Sequence, residues 1–108
     1  MTDRIDERTA RGLARHQVAT LAVDSGLDLV LRPELTAETD VGWVFFYESR
    51  RYLETGDERD RLMGNAPLLV CHSGAVHMLG TERPVEAYID DFRRSGDPYG
   101  GLATELGA

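Results

Sequence analysis

Val41-Gly42-Trp43-Val44-Phe45-Phe46-Tyr47-Glu48 is the stretch on which the architecture of the chain turns. Aromatic and β-branched residues suit the pleated surface of a strand. Side chains alternate along a strand, so Trp43, Phe45 and Tyr47 share one face and Val44 and Phe46 the other. Both faces are apolar. This predicts a central strand covered on each side.

On the N-terminal side, Leu27, Leu29 and Leu31 alternate with Asp28, Val30 and Arg32, the period of a half-buried strand. Pro33 cannot donate to a ladder and marks an edge, a bulge or the strand's end. Extended chain is expected to resume over 34–38, with Thr39-Asp40 as the turn into the central strand. Before these strands, Ala10, Leu13, Ala14, Val18 and Leu21 recur at helical spacing. They predict a helix from about Thr2 to Val23, capped by Thr2 or Asp3 and stopped at Ser25-Gly26.

On the C-terminal side, 49–65 reads as a polar, irregular excursion pinned by Tyr52, Leu53, Leu62 and Met63. Leu68–Cys71 and Val76–Leu79 read as two short strands around a two-residue Ser73-Gly74 turn. A last helix is predicted from Pro84, a favoured first helical residue, with Val85, Tyr88, Ile89 and Phe92 as its apolar stripe. The order helix, about four strands, helix leaves no crossover helices for parallel pairing. The fold class is therefore α+β: an N-terminal helix, an antiparallel sheet and a C-terminal helix packed on it. Trp43, Phe45, Tyr88, Ile89 and Phe92 are expected to form one cluster. Residues 1–95 are expected to be a single domain and 96–108 a flexible tail.

Composition removes much familiar chemistry. The 108 residues carry 12 basic and 19 acidic groups, a formal charge of −7. Every basic residue is arginine, so a P-loop lysine, a Schiff-base lysine and pyridoxal-phosphate chemistry are excluded. The single cysteine, Cys71, excludes internal disulfides and CxxC sites. An acidic chain repels phosphate backbones, so no nucleic-acid partner is expected. No apolar run approaches the roughly 20 residues of a membrane span, and the charged N-terminus does not read as a signal peptide. A cytoplasmic protein is expected.

Candidate site residues are few. His72 and His77 flank the hairpin and, with a two-residue turn, would lie diagonally on one face. Cys71 would point to the other, which leaves too few ligands for a metal site. Cys71 lies in the run Leu68-Leu69-Val70-Cys71, where a buried small hydrophobe fits better than a nucleophile. No carboxylate spacing marks an acid–base pair, so no catalytic residue, metal or cofactor is expected, and the protein reads as a non-enzyme. Arg4, Arg8, Arg11 and Arg15 form one ridge of the first helix and read as a solvated face. Residues 24–60 hold 4 basic and 10 acidic groups, a balance of −6. Glu38, Asp40, Glu54, Asp57, Glu58 and Asp60 are thus the candidate partner-binding residues. Their charge suits steering of a basic partner, and equally suits solubility.

Gly42-Trp43-Val44-Phe45-Phe46-Tyr47-Glu48-Ser49, then Tyr52-Leu53-Glu54-Thr55-Gly56, Leu62-Met63-Gly64-Asn65-Ala66-Pro67, Gly80-Thr81 and Tyr88-Ile89, resemble the YrhB-like immunity proteins (immunity protein 35). The resemblance runs from about Val41 to Phe92. It implies a small α+β protein of bacterial polymorphic-toxin loci that binds a cognate toxin and neutralises it inside the producing cell. Some members are described as chaperone-like, so a chaperone-like or regulatory protein-binding module is the alternative. In this pattern Gly56, Gly64 and Gly80 are expected at turns.

Overall fold

The computed structural model describes residues 4–62 and 66–96. The apolar stretch beginning at Val41 is one bent strand serving two ladders: β3 (Gly42–Phe45) and β4 (Tyr47–Ser49). On one side β3 pairs with β2 (Ala37–Glu38), and on the other with β5 (Leu68–Cys71), which pairs with β6 (Val76–Met78). Beyond the bend β4 pairs with β1 (Leu29–Leu31). All pairings are antiparallel, in a four-stranded sheet β2-β3-β5-β6 and a two-stranded sheet β1-β4. The break at Phe46 has its counterpart across the ladder: Pro33 begins a 3-10 turn, Pro33–Leu35, that interrupts β1 and β2. The Arg32 amide spans the gap, donating to the Phe46 carbonyl at 2.8 Å.

The first helix, α1, is Glu7–Ser25, and the sequence reading set its start too early. Asp6 is the N-cap; its carboxylate accepts from the Thr9 amide at 2.8 Å and is held below its ordinary pKa by that bond. Before it the chain is not helical, because the Ile5 amide donates to the His72 carbonyl at 2.8 Å. Thr2 and Asp3 lie outside the described residues. The helix passes Val23 and stops at Gly26, φ 72°, close to the expected Ser25-Gly26.

The excursion contains an element that the sequence reading left irregular. Ser49 caps a short helix, α2 (Arg50–Thr55), by accepting from the Tyr52 amide at 3.3 Å. Asp57 opens a 3-10 turn over Glu58–Asp60. The Glu48 carboxylate accepts from the Leu62 amide at 2.8 Å and so returns the excursion to the sheet. Leu62 packs on the core and Tyr52 is half-buried. Leu53 is 41% exposed and pins nothing, and Met63 lies outside the described residues. The last helix, α3, is Val85–Ser95; Pro84 stands one residue earlier than expected, at the N-cap.

The core has two layers, not the single aromatic cluster expected. Trp43, Phe45 and Tyr47, with Leu68 and Val70, pack against Ala10, Ala14 and Val18 of α1. Val44, Leu69, Cys71 and Leu79 pack against Tyr88 and Ile89 of α3, with Phe46, Val85 and Phe92 half-buried around them. Alternation along β3 makes this division unavoidable once the two helices cover opposite faces. Fully buried Ala10 and Ala14 let α1 approach closely, and the large side chains fill the space from the sheet.

The β5–β6 register is also one residue from expectation: Val70 faces Val76 and Leu69 faces His77. The Cys71 carbonyl accepts from Gly74 at 2.9 Å and its amide donates to Ala75 at 2.8 Å, so the loop is His72-Ser73-Gly74. Gly74 takes φ 96°, a left-handed conformation that lengthens the turn to three residues. Gly80 is not a φ-positive turn residue. A Cβ there would lie 2.3 Å from the Tyr88 hydroxyl, so Gly80 makes room for that ring. Gly56 is the expected left-handed stop, at φ 71°, and Gly64 lies outside the described residues. Among the described residues, no helix is long and apolar enough to cross a membrane. The tail beyond Gly96 lies outside the described residues.

Candidate functional site

The one-residue register change separates the histidines. His72 sits edge-on to Trp43 with centroids 5.0 Å apart, on the α1 face. His77 sits edge-on to Phe92 at 5.6 Å, on the α3 face. They do not lie diagonally on one face, and no common ion can reach both. Among the described residues no three His, Cys, Asp or Glu side chains are grouped to hold a metal. Cys71 is 4% exposed, and burial pushes its thiol up to about 11. At neutral pH it is a protonated packing group, without the thiolate that nucleophilic attack requires.

The arginine ridge is shorter than its spacing suggested. Arg4 lies before α1, its guanidinium donating to His72 Nδ1 at 2.9 Å. Arg11 is paired with Glu7 at 2.8 Å, and Arg8 and Arg15 are exposed.

The six acidic candidates fall on two parts of the fold. Glu54 lies on α2, and Asp57, Glu58 and Asp60 lie in the turn that follows. There, arginines of the same excursion meet three of the four: Arg59 meets Asp57 at 2.8 Å, Arg51 meets Asp60 at 3.4 Å and Arg61 meets Glu58 at 3.6 Å. Bonds from Arg59 hold Asp57 below the ordinary carboxylate range. Glu38 and Asp40 lie instead on β2 and its turn, at the edge of the four-stranded sheet. Asp40 takes a two-pronged contact from Arg93, with Nε–Oδ2 at 2.8 Å and Nη2–Oδ1 at 2.6 Å, which lowers its pKa. Arg93 also contacts Asp90.

At that edge lies a groove of about 710 Å³ between β2 and α3. Val44, Phe46 and Ile89 form its floor, Ala37, Pro84 and Val85 its walls, and Glu86 and Asp90 its helical rim. Glu38 forms the outer lip. Arg93 is the only cation among its described lining residues, and both Asp40 and Asp90 engage it. The sequence reading missed the groove. Glu86 and Asp90 are four residues apart beside the stripe of α3, a visible signal, but nothing local says that this flank faces the sheet edge.

The strand at the lip is unprotected. Ala37 and Glu38 are both exposed and pair only with β3. The Thr39 amide donates to the Gly42 carbonyl at 2.7 Å, and Ala37 faces Val44. Alternation along an antiparallel ladder then aims the Glu38 amide and carbonyl away from β3. An open strand edge beside an apolar groove has the geometry to accept an added strand.

The profile of the immunity protein 35 family matches residues 8–91, from the first helix to the last. YrhB of Escherichia coli strain K12, an uncharacterized protein, is 47% identical over 60 residues, which cover 55% of this chain and 64% of the relative. The chain thus spans somewhat less than two thirds of the length of that curated relative. No solved structure matches. With the family profile running from α1 into α3 and over every strand between them, the chain belongs to the immunity protein 35 family.

Proposed function

We propose that this protein is an immunity protein that binds a cognate bacterial toxin in the cytoplasm of the producing cell and neutralises it without catalysis. The observation that carries the reading is the family match over 8–91. The surface supports it: the buried thiol and separated histidines offer no reacting constellation, whereas an open sheet edge beside an apolar groove is the equipment of a protein-binding module. A net charge of −7 would speed capture of a basic toxin. Of the acidic candidates, Glu38 and Asp40 are assigned to the contact surface, since they border the groove. Glu54, Asp57, Glu58 and Asp60 form a second, largely self-neutralised surface.

The test is co-expression with any toxin domain encoded beside this gene. Protection of the cell, with a complex of fixed stoichiometry in purified material, is the expected result. Failure to protect, combined with suppression of aggregation of unrelated proteins, would replace the reading with the chaperone-like one.

A further inference from the structure

The groove and the free edge of β2 together define what they can hold. A strand added at an edge bonds through its backbone and sends alternate side chains to opposite faces. On the α3 face those side chains would enter the groove, over Val44, Val85 and Ile89, where only apolar groups are matched. On the other face they would meet Glu38, whose side chain opposes Trp43 across the ladder and has no ion partner among the described residues. Glu86, also without an ion partner among the described residues, stands at the helical rim. The one cation, Arg93, is engaged by Asp40 and Asp90, so the free charges are negative.

We infer that this edge docks an extended segment of the partner in which apolar residues alternate with lysine or arginine, the apolar side chains filling the groove and the basic ones meeting Glu38 on the opposite face, while Glu86 keeps the helical rim of the groove negative. The inference rests on the immunity reading for the identity of the partner, a toxin, but the chemistry of the groove is testable alone.

The probe is the capped peptide Lys-Val-Lys-Leu-Lys-Val-Lys, with a Glu-for-Lys peptide as control. Binding is measured by anisotropy at low and high salt, and the contact is located by amide shifts. The lysine peptide should bind saturably, more weakly in high salt, and shift Ala37, Glu38 and Val85, while the glutamate peptide does neither. The pair Glu38→Arg and Glu86→Arg should weaken binding at least tenfold, and Ala37→Trp, which fills the groove from an exposed position, should do the same. The pair Glu54→Arg and Glu58→Arg adds the same charge on the excursion and should leave binding within twofold. Absence of saturable binding, or loss in the excursion pair and not in the groove variants, overturns the inference. The same variants are then scored for protection against the toxin. Loss confined to the groove variants assigns the toxin to the groove, and full protection by both groove variants removes it from there while leaving the immunity reading intact. If the unmodified protein gives no protection, the immunity reading fails and the inference's toxin partner with it; the peptide arm then judges the groove alone.

Discussion

The same one-methyl substitution should have opposite signs at two glycines. At Gly42, which faces Cys71 across the β3–β5 ladder, an added Cβ would lie 2.1 Å from the Val70 carbonyl oxygen and 2.8 Å from the Cys71 Cα. Both obstacles are backbone, so no rotamer change relieves the overlap. Ordinary C···O contact begins near 3.3 Å, so the strands must part by about 1 Å. A ladder bond of about 2.9 Å is then stretched beyond bonding range. Two lost bonds at roughly 1 kcal/mol each, with their buried partners left unsatisfied, give a cost of about 3 kcal/mol or more for Gly42→Ala. At 4–8 °C per kcal/mol, the melting temperature should fall by roughly 12–24 °C. At Gly12, in the interior of α1, an added Cβ meets nothing within 4 Å. Gly12→Ala should therefore stabilise by about 0.5–1 kcal/mol, through the entropy that glycine costs a helix. Thermal melting and urea denaturation followed by circular dichroism read both. A Gly42→Ala variant that melts within about 2 °C of the parent would refute the reasoning, because no arrangement of the observed backbone accommodates the methyl.

Other expectations follow from the same structure. Phe45→Ala, at 0% exposure in the α1 layer, should cost about 3–5 kcal/mol, and half-buried Phe92→Ala clearly less, as read by urea midpoints. Ser49→Ala removes the cap of α2 and should cost about 1 kcal/mol by the same assay. Cys71 titrates near 8.5 when unfolded and at about 11 when folded, so the native state holds the extra proton between those values. Stability should fall as pH rises through that window, Cys71→Ala should remove the slope, and thiol reagents at pH 8 should modify only unfolded protein. Asp40, Asp57 and Asp91 are held low by Arg93, Arg59 and Arg83 respectively, so their contribution is present above about pH 4 and is lost as pH falls through the depressed values. Because the arginine of each pair is exposed, about 1 M salt should blunt the acid slope, and an unblunted slope would assign it to other groups.

Period and punctuation made most of the fold legible. The two-faced strand over 42–48, the helical stripes, the break at Pro33 and the glycine stops all act locally and left their marks on the sequence. What escaped depends on partners distant in the chain. The start of α1 is set by the bond from Ile5 to His72, which outweighs the capping options at Thr2 and Asp3. The division of the core into two layers depends on which helix covers which face, and alternation alone does not label the faces. The hairpin differs by one residue because Gly74, not Ser73-Gly74 as a pair, supplies the left-handed turn, and that single step moved His77 to the other face. Of the groove only the lip was marked, by Glu38 among the acidic candidates, because its floor joins Val44 and Phe46 to Ile89 of α3, more than 40 residues away in the chain.

The dependence of α1 on distant strands also has a consequence in time. Its buried Ala10, Ala14 and Val18 find their cover in β3 and β5, and its N-terminal lead is fastened at residue 72. A helix made early in synthesis therefore has no complete surface to dock on until two thirds of the chain has been made. At about 5–20 residues per second, 108 residues take roughly 5–20 s to translate. Docking of α1 belongs to the later part of that interval or follows release from the ribosome. Newly started synthesis thus provides no folded protein for several seconds, and any function that must precede a partner's appearance depends on molecules already made.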